Sequence, residues 1–170
     1  DEIVTSGRSY AKEQKLIKSP LSVNEVVTEA VKDFTSPLQD YPLQIEFEED
    51  PRSPICSLAP LEFELAVFNL LKNAKEALKA QKADEPKVFI KISSGETHCF
   101  VDISDNGAVI SESDLESMGS FFKSGKASGL GIGLSLVRSI VQNHNGSLVL
   151  ERGKNGGLVC RIRLPIFNAE

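Results

Sequence analysis

ELAVFNLLKNAKEAL, residues 64–78, is the stretch on which the reading of this chain turns. Helix formers dominate it. Pro60 stands where a first helical turn tolerates proline, so the pattern predicts one long helix over 60–81. Leu61, Leu65, Phe68 and Leu71 fall on one side and are expected to be packed. Asn69 and Asn73 stand four apart, one above the other on a single face, and Glu76 continues that face. Asparagine is a poor interior helix residue because its amide competes for backbone hydrogen bonds. Two in register mean either a solvated helix face or a carboxamide oxygen set to hold a divalent cation beside phosphates.

Working outward, strands are predicted near 88–93 and 98–105, joined by Ser94-Gly95-Glu96 as an antiparallel hairpin. Cys99, Val101, Ile103 and Asp105 share one parity, so Asp105 ends a strand on its apolar face. A carboxylate aimed that way is costly unless it is paired or hydrogen-bonded. With Asn106-Gly107 behind it, Asp105 is either part of a strand-ending turn or an acceptor for an exocyclic amine such as adenine's. Residues 111–118 read as one or two helical turns. From Gly119 to Gly133 the chain is rich in Gly, Ser and Lys and is expected to be mobile. In SGKASGLGIGLSLVRSIV (124–141), Gly129, Gly131 and Gly133 alternate into a helix predicted over 132–143. Glycines let backbone N–H groups approach an anion, and a helix N-terminus favours negative charge. Lys123 and Lys126 either keep that loop soluble or meet phosphates.

Strands at 147–151 and 157–164, split by the turn Gly153-Lys154-Asn155-Gly156, close the chain. Upstream, Ser22-Val23-Asn24-Glu25 is a capping box. It opens a helix with Val23, Val26, Val27, Ala30, Val31 and Phe34 on one face. A strand is predicted over 43–48. The sum is an α+β two-layer sandwich, with helices packed on one face of a mixed β-sheet.

Hydrophobic residues make up 41% of the 170, enough to build a core. The net charge of −5 argues against a nucleic-acid binder. No run approaches the ~20 apolar residues of a membrane span. The polar opening, DEIVTSGRSY, lacks Met, so the chain reads as a fragment whose parent's anchor, where there is one, lies elsewhere. Cys56, Cys99 and Cys160 have neither metal nor redox spacing. Cys160 shares parity with Leu158, Ile162 and Leu164 and reads as a small core residue. Free thiols fit a cytoplasmic domain. There is no GxxxxGK[ST], no GxGxxG after a strand, and no hydrolase triad around His98 or His144.

Together, NLLKNAKEAL (69–78), DNGAVI (105–110), FFKS (121–124) and GLGIGLSLVRSIVQNHNG (129–146) resemble the N, G1, F and G2 boxes of the Bergerat-fold ATP-binding family. That family includes gyrase, Hsp90-type chaperones, MutL-type repair proteins and histidine kinases. The resemblance covers about residues 20–165, in the right order. NAKEAL and GLSLVRSIV are most similar to sensor kinases of the nitrogen-regulation and oxygen-sensing type. It implies that Asn73 ligates Mg²⁺, with Asn69 beside the metal and Lys72 reaching a phosphate of ATP. It further implies that Asp105 binds the adenine amine and that Gly107 allows close approach to the ring. Lys123 and Lys126 would meet phosphates, and Gly129, Gly131 and Gly133, with Leu134 next to them, would border the phosphates.

The family's gyrase-like ATPases carry a general-base Glu where this chain has Asn69. An amide takes no proton near neutral pH, which favours phosphotransfer to histidine over hydrolysis. Two departures stand out: Val109 replaces the second glycine of DxGxG, and no Glu-Pro precedes Phe121. The resemblance implies a phosphoacceptor helical hairpin outside this chain, with residues 1–14 as its remnant and 15–170 as the catalytic domain. It also implies a response regulator as downstream partner and a homodimeric parent, the fragment itself being monomeric. Two other functions fit the same residues. One is a degenerate interaction module, suggested by Val109; the other is a Bergerat ATPase, opposed by Asn69.

Overall fold

A computed structural model describes residues 17–36, 40–124 and 130–168, with 120–124 and 130–132 described by their backbone alone. The hairpin remnant expected at 1–14 lies outside the described residues. The order is β1 (Ser19–Ser22), α1 (Val23–Thr35), β2 (Gln44–Glu48), β3 (Ile55–Leu58), α2 (Pro60–Ala80), β4 (Lys87–Ser94), β5 (His98–Asp105), α3 (Glu112–Ser124), α4 (Leu130–Asn143), β6 (Ser147–Arg152) and β7 (Leu158–Pro165).

Strand alternation decides which side of the sheet is buried. Val88, Ile90 and Ile92 of β4, Val101 and Ile103 of β5, and Ile162 and Leu164 of β7 all point into the core. The opposite face carries cross-strand ion pairs, Lys87–Glu46 at 3.0 Å and Arg161–Asp102 at 2.8 Å. The main sheet runs β2-β4-β5-β7-β6. Only the β2–β4 pair is parallel, so the sheet is mixed as expected. β1 and β3 form a separate antiparallel pair that the sequence reading missed. Each has only four residues, and Pro51 and Pro54 precede β3, so neither leaves a readable alternation.

Helix α1 starts where the capping box puts it: the Ser22 hydroxyl accepts from the Glu25 N–H at 3.4 Å. Helix α2 is the centre of the helical layer. Its buried stripe is Phe63, Ala66, Val67, Leu70, Leu71, Ala74 and Leu78. The expected packed side holds at Leu71 and, half-buried, at Phe68, but not at its start, where Leu61 is 75% and Leu65 44% exposed. Apolar residues surround the first half of α2, so periodicity admits two faces. Contact with the sheet, α1 and α4 selects the one beginning at Phe63. The Ala59 N–H before α2 finds its partner in His144, whose Nε2 accepts it at 3.0 Å. Nδ1 of the same buried ring faces the Ile140 carbonyl at 2.7 Å, so His144 is a structural link between the two helices. Helix α3 runs on through Gly119 to Ser124, longer than the predicted turns. Among the described residues, no helix is long and apolar enough to cross a membrane.

Candidate nucleotide site

Asp105 is the last residue of β5, on the buried parity, as its spacing requires. Its Oδ1 accepts the Gly107 N–H at 2.8 Å and its Oδ2 the Leu158 N–H at 3.3 Å. Burial nonetheless holds this carboxyl above its ordinary value, because two bonds do not replace the water it has lost. The approach of β7 depends on Gly157. Its φ is +73°, and a Cβ there would stand 2.1 Å from the Asp105 carbonyl oxygen. Only glycine fits.

Beside Asp105 opens a cavity of about 550 Å³ between α2, α3, α4 and the ends of β5 and β7. Asn73, Asp105 and Leu134 line it, as do Ala77, Gln81 and Met118. Cys160 forms part of its floor, and burial pushes that thiol up to about 12, so it stays neutral. Val109 sits at the rim, 80% exposed. Its φ is not among the positive ones, which outside glycine are at Ser53, Lys82 and Asn145 among the described residues. The turn after Asp105 therefore forms without left-handed backbone at 109.

The polar groups of α2 separate into two kinds. Asn73 has an Nδ2 that is buried and without a hydrogen-bond partner. A buried amide N–H left open is costly, and turning the amide over would present its oxygen instead. The first turn of α4 lies against it: a Cβ on Gly133 would come within 3.1 Å of Asn73 Oδ1. A helix entry beside an open carboxamide suits an anion with its counter-cation. Among the described residues, no group of three or more His, Cys, Asp or Glu has metal-holding geometry. A cation at Asn73 would thus need ligand oxygens to complete its shell, as Mg²⁺ does with phosphates.

Asn69 and Lys72 stand apart from the cavity wall. Asn69 Nδ2 donates back to the Leu65 carbonyl at 2.8 Å, and Lys72 pairs with Glu76 at 4.0 Å on the exposed face. Gly107 lies just behind Asp105, donating to it. Gly131 falls in the first turn of α4. Lys126 and Gly129 lie outside the described residues, as does the side chain of Lys123.

Sequence reasoning missed Gln81, Gly157 and the small residues Ala74, Ala77 and Ala80. The alanines recur every third residue of α2 and leave the space the cavity occupies, a signal present in the sequence. Nothing local marks Gln81.

The family described as histidine kinase-, DNA gyrase B- and HSP90-like ATPase matches residues 59–168. Sensor protein FixL of Bradyrhizobium diazoefficiens is 25% identical over 164 residues, covering 96% of this chain and 32% of FixL. The solved ATP binding domain of PrrB from Mycobacterium tuberculosis matches with a TM-score of 0.69 at 25% identity, over 89% of this chain and 99% of that one. The catalytic domain of histidine kinase ThkA shares the fold, with a TM-score of 0.72 at 24% identity over 87% of this chain and 97% of its own. The chain spans about a third or less of the length of the curated sensor proteins it matches.

Proposed function

Because the chain belongs to the histidine kinase-, DNA gyrase B- and HSP90-like ATPase family, we propose that it is the ATP-binding catalytic domain of a sensor histidine kinase. It would transfer the γ-phosphoryl group to a histidine on a separate helical hairpin, and a response regulator would receive the group in turn. The observation that carries this reading is that a half-buried, partly desolvated Asp105 and the unpartnered Asn73 amide line one cavity.

Asp105 accepts the exocyclic amine of adenine, with Gly107 keeping the approach to the ring clear. Asn73 would hold Mg²⁺ through its carboxamide oxygen, with Asn69 one turn earlier on the same helix. The cation, when bound, neutralises charge on the phosphates. Lys72, Lys123 and Lys126 serve the same charges, and Gly129, Gly131, Gly133 and Leu134 border them. This chain contributes positioning and electrostatics rather than covalent chemistry. Asn69 lacks the basicity to activate water, which favours transfer over hydrolysis.

The test is calorimetric titration of the domain with a non-hydrolysable ATP analogue, with and without Mg²⁺, followed by phosphorylation of a matched histidine hairpin supplied in trans. We expect saturable binding that Asp105→Asn weakens at least about tenfold, as loss of a charge-assisted hydrogen bond implies. We expect Asn73→Ala to remove the Mg²⁺ dependence and to lower phosphotransfer at least about a hundredfold. A folded domain that binds no nucleotide overturns the assignment and leaves the degenerate module standing. Steady phosphate release abolished by Asn69→Ala would restore the ATPase reading.

A further inference from the structure

Gln81 caps the C-terminus of α2 and lines the cavity beside Asp105. Its Oε1 accepts the Ala108 N–H at 2.7 Å. On the other side, the Gly157 N–H donates to the Ala108 carbonyl at 2.9 Å. Ala108 is thus held twice, once by α2 and once by the start of β7. The neighbouring backbone donors are engaged as well: Asn106 N–H reaches the Lys87 carbonyl at 3.1 Å and Gly107 N–H reaches Asp105 Oδ1 at 2.8 Å. A Cβ on Gly107 would stand 2.7 Å from both Gln81 Oε1 and Asp105 Oδ1, so the two oxygens converge on one face of that glycine.

We propose that Gln81 is a positioning residue for nucleotide recognition: it ties the 106–109 turn to α2 and so fixes how Asp105 presents its carboxylate to the base. This rests on the reading of the cavity as a nucleotide site. Asp105 leans on the turn through Gly107, and Gln81 holds the next residue along. The Asn106 side chain anchors the start of the turn to Glu85 and Lys87, and two residues further on Gln81 holds Ala108 from the α2 side, against the β7 contact on the other. Gln81 is also eight residues beyond Asn73 on the same rigid helix, about 12 Å along its axis. One element therefore sets the distance between the group that reads the base and the group that faces the phosphates. The side chain must be long and must end in an acceptor, which makes Gln81→Leu and Gln81→Glu the informative pair.

Two readouts on the whole chain test this. The first is hydrogen exchange of the Ala108 amide in the free protein. The second is the ratio of affinities for ATP and for purine riboside triphosphate, which lacks the 6-amino group. We expect Gln81→Leu to speed Ala108 exchange at least about tenfold without a matching loss of thermal stability. ATP affinity should fall about tenfold while the purine analogue is little affected, so that the ratio contracts toward that of Asp105→Asn. Gln81→Glu should restore slow Ala108 exchange, since it keeps an oxygen acceptor at that reach; the affinity ratio is read from Gln81→Leu, because a second carboxylate converging with Asp105 Oδ1 on Gly107 would itself raise the Asp105 carboxyl. The inference is overturned if Gln81→Leu leaves the ratio at its wild-type value, or weakens both nucleotides equally, while Asp105→Asn still collapses it. A wild-type chain that binds neither nucleotide overturns the cavity's assignment first, and this inference with it.

Discussion

At the Asp105 end of the cavity, the polar groups have partners before any ligand arrives. The carboxylate takes two backbone N–H groups, Ala108 is held from both sides, and the Asn106 side chain ties the turn to Lys87 and Glu85. At the Asn73 end the buried Nδ2 of that residue has no partner, and the polar groups near it are engaged away from the cavity: Asn69 folds back on its own helix and Lys72 pairs with Glu76. The difference separates two kinds of recognition. A base is uncharged and is distinguished by the direction of a few hydrogen bonds, which requires a frame fixed in advance. Triphosphate and cation bring their own strong charges and order whatever faces them. One end is built for selectivity, and the other is completed by its ligand.

The most severe way to break that contrast is at Gly157. Alanine there must keep φ at +73° and place its Cβ 2.1 Å from the Asp105 carbonyl oxygen and 2.6 Å from Oδ1. The left-handed backbone alone costs about 1–2 kcal/mol, and the backbone clash adds to it. We expect Gly157→Ala to destabilise the fold by about 2–4 kcal/mol in urea unfolding and to abolish nucleotide binding. Gly133→Ala at the other end meets only the tip of the Asn73 side chain, 3.1 Å away. It should change stability by about 1 kcal/mol or less. Equal effects at the two glycines would mean that the Asp105 end is no more rigid than the other.

How much of this was legible in sequence follows the same division. Asp105 could be read because strand parity is strict: its alternation with Cys99, Val101 and Ile103 dictated its burial. The Ser22 cap and the N-terminal proline of α2 were legible because helix entries have local chemistry. The packed face of α2 was legible only in part: Leu71 and Phe68 pack as expected, whereas Leu61 and Leu65 satisfy the same periodicity and only tertiary neighbours leave them exposed. Gln81 and Gly157 were invisible for a related reason. Their importance lies in touching residues 108 and 105, far away in the chain. Asn73 was singled out as an awkward helix residue; that its Nδ2 lacks a partner emerges only once α4 packs over it.

Asp105 gives a pH dependence with an unusual sign. Burial raises its carboxyl in the folded state above the unfolded value, against the hydrogen bonds from Gly107 and Leu158. Between those two values the native state holds the extra proton, so this group's contribution to stability falls as pH rises through the window. Asp50 runs the other way. A hydrogen bond from the Ser94 hydroxyl lowers it most, so its contribution is lost as pH falls. Comparison with Asp105→Asn isolates the first effect. Wild type should lose stability relative to that variant on going from acidic to neutral pH in denaturant unfolding. ATP affinity should move oppositely, weakening as pH drops through the raised value, because the protonated carboxyl is a poorer acceptor for the base amine. A stability difference that is flat with pH would mean that the carboxylate is as well solvated folded as unfolded, and hence that the Asp105 end is not closed.

The smallest effect, and the finest test of the contrast, concerns Lys72. Its pair with Glu76 spans 4.0 Å with both side chains more than half exposed. Such pairs contribute about 0–1 kcal/mol, so Lys72→Met should shift stability by no more than about 0.5 kcal/mol. Its effect on ligands should depend on which end they occupy. Adenosine engages only the Asp105 end and should bind as to wild type. ATP reaches the other, where the ammonium must leave Glu76 for a phosphate; its affinity should fall about threefold to tenfold, with a weaker dependence on salt. Titrating both ligands at two salt concentrations reads this out directly. If Lys72→Met leaves the two affinities unchanged, the lysine stays with Glu76 in the bound state. The ligand-completed end then narrows to Asn73 and the entry of α4, where charge would be met by one amide, one cation and backbone N–H groups alone.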